Sequence, residues 1–267
     1  MTAARRMAQA GAFFALALVV GSTNAAAQND DEYEKILPFI GHWDSDVAVP
    51  DGQDRGNCGG RTGDAGEKQL NCSMPVDQLP LNARGEAWLK YVDIMQSPTT
   101  VACAQLGLPA LLTDGGYISA SPGRVDMQHP TNPWYVSRTV WLNGGGPKPL
   151  PGELYQHGLS TGRFDGNDFV IETDHFSFDP DGIDDHLHMA SSVNKKLTER
   201  YQLIDDEHLR IVITLEDPTF LTRPFTWAIL WRKTQGGPAP AYRSCDAESA
   251  RREVEFAYPG KKYSDGK

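Results

Sequence analysis

"KKLTERYQLIDDEHLRIVITLE", residues 195–216, is the stretch of sequence that decides the fold class. Apolar and polar side chains alternate on both sides of the tetrapeptide "DDEH" at 205–208, which is typical of two strands joined by a turn. Successive side chains of a strand point to opposite faces of a sheet, so the alternation indicates strands that are buried on one face only. The stretch therefore predicts a β-hairpin with strands at 195–204 and 208–216.

The same pattern recurs through most of the chain after residue 115. It predicts further strands at 117–119, 125–128, 134–142, 154–164, 168–176 and 226–233. Turn-forming residues separate several of them, notably at 143–152 and 165–168. Many short strands with hairpin turns favour an all-β sandwich or an antiparallel barrel. Two helices, at 30–40 and 81–95, are expected to flank the sheet.

An acidic stretch, "FDPDGIDDHLHMASS" at 178–192, lies between two predicted strands. Its spacing differs from that of an EF-hand loop. Residues 179–185 are therefore interpreted as a solvated turn, with irregular calcium binding as the alternative. His186 and His188 are two positions apart and share one face of the strand that follows. No metal site is predicted.

The N-terminus indicates export. Arg5 and Arg6 precede a short apolar run at 10–21, and three alanines stand before Gln28. This is the layout of a secretory signal peptide, with a retained anchor as the alternative. We expect a signal peptide at 1–27, then a single domain at 28–267 with a polar C-terminal tail, secreted to the periplasm or the medium. The formal charge of −10 makes nucleic acid an unsuitable partner, and no membrane insertion is expected.

The four cysteines all follow the predicted signal peptide. An even number of cysteines in an exported chain predicts disulfides. Cys58 and Cys72 flank a glycine-rich loop and are candidates for a local bridge. Cys103 would then pair with Cys245, although the other two pairings remain open.

Carboxylates and histidines near the ends of neighbouring strands are the candidate catalytic residues. If these strands are adjacent, one rim of the sheet gathers His188, Glu199, Asp217 and Asp174. A histidine beside carboxylates is suited to general acid–base catalysis. Structural roles remain open: an ion pair of Glu199 with Arg200 or Arg210, a turn at Asp217, and a packed His188.

The chain resembles the calycins in two places. A predicted helix leads into Gly41-His42-Trp43, and the last predicted strand, "TWAILWRK" at 226–233, ends in Arg232-Lys233. In calycins a tryptophan at this position closes one end of the barrel, and an arginine from the last strand stacks on it. The resemblance implies a calycin-like β-barrel with a cation over Trp43.

Residues 103–256 also resemble a group of exported calycin-like proteobacterial proteins. The similarity is carried by "GLSTGRFDGNDFVIETDHF" at 158–176 and by the stretch at 187–227. Leu159 and Lys196 stand where the group usually has histidines, and His157 lies two positions before Leu159. Some members look like enzymes that cleave β-aryl ethers of lignin-derived dimers without glutathione or nicotinamide.

The resemblance implies an exported, cofactor-independent enzyme that cleaves aryl ethers by acid–base chemistry. The alternative is a lipocalin-like protein that binds a hydrophobic or aromatic small molecule. Partners are expected to be the aromatic ligand and a paralogous subunit in a heterodimer. The candidate residues are, for catalysis, His188, Glu199, Asp217, His157 and Asp174, and for substrate binding, Arg138, Tyr155 and Trp227.

Overall fold

The fold is described from a computed structural model. The described residues are 33–45, 74, 78–93, 95, 97–113, 115–130, 135–184, 187–236 and 246–257. The predicted signal peptide, Cys58, Cys72, Cys245 and His186 lie outside them. Cys103 is not a free thiol, and the pairing of the four cysteines stays a prediction, as do the export of the chain and its division into domains.

Nine strands close into a barrel, as the all-β prediction required. The closed order is β1-β11-β10-β9-β6-β5-β4-β3-β2, which is compatible with a calycin-like fold. All neighbours are antiparallel except β4 and β5, which are joined by the long connection at 143–158 rather than by a tight hairpin. The barrel strands are β1 Gly41–Ser45, β2 Gly116–Ser121, β3 Arg124–Pro130, β4 Tyr135–Leu142, β5 Leu159–Asp165, β6 Asp168–Asp174, β9 Lys196–Leu203, β10 His208–Glu216 and β11 Phe225–Thr234.

The predicted alternation sets which side chains enter the barrel. In β9, Leu197, Glu199 and Tyr201 are buried while their neighbours are more exposed. In β10, Ile211 and Ile213 are buried in the same way. Burying each such aliphatic side chain contributes about 1.5–3 kcal/mol. Glu199 is thus the one acidic side chain that this hairpin sends into an apolar interior.

One end of the barrel is closed by Trp43. Its indole nitrogen donates to the carbonyl of Phe39 at 2.8 Å, and the ring is buried. The predicted cation over this ring is present, but Lys233 supplies it, with Nζ 5.1 Å from the ring centroid. The expectation for Arg232 was wrong because Trp43 pairs with Lys233 across β1 and β11, so Arg232 faces the other side of the strand.

Short helices flank the barrel. The predicted helix at 81–95 is shorter, α1 Ala83–Tyr91. Asn82 begins it by accepting from the backbone of Arg84 and Gly85, which is typical N-cap geometry. The described residues also contain α2 Pro98–Val101, α3 Ala247–Ala257, and 3-10 helices at Leu37–Phe39 and Ala110–Leu112. None of these helices is long and apolar enough to cross a membrane.

Residues 179–184 are not the solvated turn that the sequence predicted for 179–185, and Asp185 lies outside the described residues. Asp179–Asp184 forms β7, which pairs with β8 Met189–Ser191 in a separate two-stranded sheet. Asp179 and Asp181 are buried. The prediction was wrong because the stretch has the composition of a turn. The contacts that bury this hairpin come from residues 97–108, which are far away in the sequence.

Candidate functional site

A buried ion pair crosses the interior of the barrel. Arg138 on β4 donates to both carboxylate oxygens of Glu199 on β9, at 2.7 and 2.5 Å. The hydroxyl of Tyr201 donates to the same carboxylate at 2.7 Å. The side chains of Arg138 and Glu199 are only 3% and 0% exposed. An ion pair is costly to bury, so its presence in an apolar interior marks a candidate site.

Burial and charge act against each other within this group. Burial alone disfavours the charged guanidinium, but the Glu199 carboxylate outweighs it and raises the pKa of Arg138. Burial, followed by the Glu199 charge, raises the pKa of Tyr201 well above its ordinary value. The tyrosine is therefore a neutral hydrogen-bond donor at neutral pH.

His129 is buried in the same interior, and its Nε2 has no hydrogen-bond partner among the residues that the structure describes. Its Nδ1 lies 3.1 Å from the carbonyl of Gly115. A carbonyl only accepts, so Nδ1 carries the hydrogen and Nε2 is the acceptor. Burial, followed by the charge of Arg138, lowers the pKa of His129 to about 3. The ring is therefore neutral at physiological pH.

His157 repeats this arrangement. Its Nε2 lies 3.3 Å from the amide oxygen of Gln105, which leaves Nδ1 as the acceptor. Burial, then the charges of Arg138 and Lys195, lower the pKa of His157 to about 4. Because Arg138 influences both histidines, the three side chains lie in one electrostatic neighbourhood.

Lys195 lies beyond His157 in the same neighbourhood. Its ammonium donates to the carbonyls of Leu108 at 2.7 Å and Gly182 at 2.9 Å. It also lies 4.2 Å from the ring centroid of Phe176. Burial lowers the pKa of Lys195 to about 8, although the carboxylate of Asp179 opposes the shift.

We name six side chains the polar column: the buried Lys195, His129, Arg138, Glu199 and Tyr201 and the half-buried His157. Arg138 is hydrogen-bonded to Glu199 and Tyr201, whereas the histidines are linked to Arg138 through its charge. Within the described part of the chain, three of its buried nitrogens have no hydrogen-bond partner, namely Arg138 Nε, His129 Nε2 and His157 Nδ1. The first is a donor and the other two are acceptors. Buried polar atoms are normally paired, so these three unpaired nitrogens are candidate contacts for a polar ligand group.

One segment of the chain covers the polar column. We name residues 105–112 the cap segment. Besides the contacts of Gln105 with His157 and of Leu108 with Lys195, the carbonyl of Leu112 accepts from the indole of Trp231 at 3.0 Å. The ring of Trp231 packs against Tyr201, with centroids 6.0 Å apart. Access to the polar column from this side requires the cap segment to move.

Three of the candidate residues from the sequence meet in the polar column: Glu199, His157 and Arg138. The expected neighbours Arg200 and Arg210 do not pair with Glu199. Arg200 binds Asp165 and Asp168, and Arg210 binds Gln202. The reason is strand alternation, which sends Glu199 inward and even-numbered neighbours outward.

The predicted rim of four acid–base residues is divided among different sets of partners. Asp217 accepts from the backbone and hydroxyl of Ser192, at 2.6 and 2.7 Å, and from Thr219. The negative charge of Asp217 also acts on Lys195, where it favours a higher pKa. Asp174 is exposed and pairs with His175. His188 pairs with Asp181 outside the barrel strands.

The two other predicted ligand-binding residues are also separate. The hydroxyl of Tyr155 forms a hydrogen bond with Glu153, which raises the pKa of the phenol. Trp227 is buried and stacks on Phe225, with centroids 5.6 Å apart.

Sequence reasoning missed His129, Lys195 and Tyr201. His129 follows Val125 and Met127 at alternate positions of β3, and Tyr201 follows Glu199 by two residues. That parity alone places them on the inner face. Lys195 has the same parity as Leu197 in the predicted strand at 195–204, although β9 begins only at Lys196.

A groove of about 510 Å³ lies outside the barrel. Trp141 and the 144–149 loop border it on one side, and the side chains of Glu172, Asp174, His175 and Lys196 border it on the other. Among the described residues there is no group of three or more side chains suited to hold a metal ion.

Comparison of the chain with protein-family models, curated proteins and solved structures found no match.

Proposed function

We propose that the protein is an exported, cofactor-independent enzyme that binds a hydroxylated aromatic ether at the polar column and cleaves its β-aryl ether bond. The observation that carries the proposal is the set of three unpaired buried nitrogens. One hydroxyl can accept from Arg138 Nε and donate to an imidazole of His129 or His157. Each unpaired buried polar group costs about 1–3 kcal/mol, so a bound hydroxyl removes a real penalty.

The chemistry follows from the protonation states. A neutral imidazole takes the proton from the substrate hydroxyl or from a water molecule. The oxygen so activated attacks the carbon that bears the aryl ether, and the carbon–oxygen bond breaks. The aryl oxygen leaves as a phenol after taking a proton from Lys195, whose pKa of about 8 is close to the working pH.

The ion pair of Arg138 and Glu199 has a positioning role in this scheme. Its two hydrogen bonds hold the guanidinium plane across the barrel. They thereby aim Arg138 Nε at the ligand hydroxyl. Tyr201 also donates to this carboxylate, so the donor is fixed before the substrate arrives.

Substrate entry is assigned to the cap segment, since its three hydrogen bonds close the polar column. A paralogous subunit, expected from the resemblance, would contact this side of the barrel and hold the cap segment open. The proposal therefore includes activity that depends on such a partner.

A second candidate function is binding of a hydroxylated aromatic ligand without turnover. The observation that favours it is the low pKa of both histidines, about 3 and about 4. General bases work best when their pKa lies near the ambient pH. Imidazoles this weakly basic are better suited to accepting a hydrogen bond than to removing a proton.

The test uses the purified full chain, alone and with a paralogue encoded beside its gene, and a guaiacylglycerol-type aryl ether. Phenol release is followed by chromatography and ligand binding by calorimetry. We expect release from the wild type, loss of at least tenfold in His157→Ala, and no change in His175→Ala, an exposed control. Binding without release under both conditions supports the second function. Neither binding nor release overturns both.

A further inference from the structure

Outside the barrel, the β7–β8 hairpin carries an acid–base pair that the polar column does not use. Asp181 and His188 lie on this hairpin, and His188 Nδ1 is 3.2 Å from Asp181 Oδ1. A carboxylate accepts at this position, so Nδ1 carries the hydrogen and Nε2 holds the lone pair. A carboxylate behind an imidazole fixes its tautomer and makes the outer nitrogen a better acceptor.

Asp181 is held more firmly than an ordinary surface carboxylate. Its second oxygen accepts from the hydroxyls of Ser97 and Thr99, both at 2.7 Å, and from the backbone of Thr99 at 3.3 Å. Burial opposes ionisation, but the hydrogen bonds from His188, Ser97 and Thr99 outweigh it and lower the pKa of Asp181. Asp181 is therefore an anion that stays in place beneath His188.

The backbone of His188 is also held in a specific conformation. Its φ is +55°, a left-handed value that non-glycine residues seldom adopt. The indole of Trp88 donates to the carbonyl of His188 at 2.8 Å. The side chain is mostly buried, with 13% of its surface exposed.

An aromatic pair lies next to the backbone of His188. Trp88, which binds the His188 carbonyl, contacts Phe178 edge to face, with centroids 5.9 Å apart. Phe178 is 52% exposed, so its ring offers an apolar surface to a ligand. The hairpin that carries the His188 acceptor is thus joined through Trp88 to an exposed aromatic ring.

We propose that His188, Asp181, Trp88 and Phe178 form a phenol-binding site. The hydroxyl of the phenol donates to His188 Nε2, and its ring packs against Phe178. Asp181 is a positioning residue, since it acts on the ligand only through the imidazole. The inference does not rest on the polar column, because none of the four residues belongs to it.

The test compares phenol with anisole, in which a methyl group replaces the hydroxyl hydrogen. Binding of each to the full chain is measured by ligand-observed NMR and calorimetry. We expect phenol to bind at least about fivefold more tightly than anisole, the effect of one hydrogen bond. Equal affinity for the two ligands overturns the proposal, and this comparison needs no variant.

Variants then locate the site. His188→Ala should lower the affinity for phenol to that for anisole, and Asp181→Asn should lower it severalfold while leaving anisole unchanged. His175→Ala is the matched control, since its imidazole also pairs with a carboxylate and has a φ of +56° but is exposed. If His175→Ala loses phenol binding or His188→Ala retains it, the assignment is overturned. If the wild type binds phenol at this site but does not cleave an aryl ether, only the proposed function is refuted.

Discussion

The buried ion pair gives the sharpest prediction. Glu199→Gln keeps the shape of the side chain but removes its charge, so Arg138 is left as an unpaired buried cation. In the wild type the Glu199 carboxylate accepts three hydrogen bonds, two from Arg138 and one from Tyr201. Breaking a buried pair on one side costs about 3–5 kcal/mol. For a chain of this size that lowers Tm by roughly 6–20 °C.

The double variant Arg138→Met/Glu199→Gln separates charge from packing. Neither charge of the pair remains, and the glutamine amide can still accept from Tyr201. We therefore expect the double variant to be more stable than Glu199→Gln alone. Urea unfolding followed by tryptophan fluorescence measures both, and Glu172→Gln, in an exposed pair with Arg163, should leave the midpoint unchanged. A loss below about 1 kcal/mol in Glu199→Gln, or a still less stable double variant, would refute the reasoning.

Three further predictions concern pH and local packing. His129 and His157 have folded pKa values of about 3 and about 4, below the ordinary 6.5. Their contribution to the free energy of unfolding is therefore fully present above pH 6.5 and is lost as the pH falls, by roughly 4 kcal/mol at pH 5. Urea unfolding at several pH values measures this loss, and a flat profile would contradict it. Gly158→Ala should destabilise by about 2–4 kcal/mol, since its φ is +69° and a Cβ would lie 2.7 Å from the carbonyl of Asp174; an unchanged Tm would count against this. Asp217→Ala removes three hydrogen bonds and should cost about 2–4 kcal/mol; lost turnover at unchanged stability would instead support a catalytic role.

The barrel was predictable because its signal is local. Alternation in residues 195–216 identifies the β9–β10 hairpin almost to the residue, since each inward side chain is apolar except Glu199. The hairpin at 179–191 was missed for the opposite reason. Asp-Pro-Asp-Gly has turn composition, and tertiary contacts, among them the hydrogen bonds from Ser97 and Thr99 to Asp181, keep it as a buried strand.

The sequence by itself determined which side chains share a face, because side-chain direction alternates with a period of two along every strand. That was enough to place Glu199 and Tyr201 on one face with Leu197, and His129 shares a face with Val125 and Met127 because β3 extends to Pro130. Only the tertiary structure decided their partners. Arg138 is 61 positions from Glu199 and meets it across the barrel, and Lys195 meets the cap segment 87 positions away. Such contacts depend on how the sheet closes, and barrel closure is a property of all nine strands together.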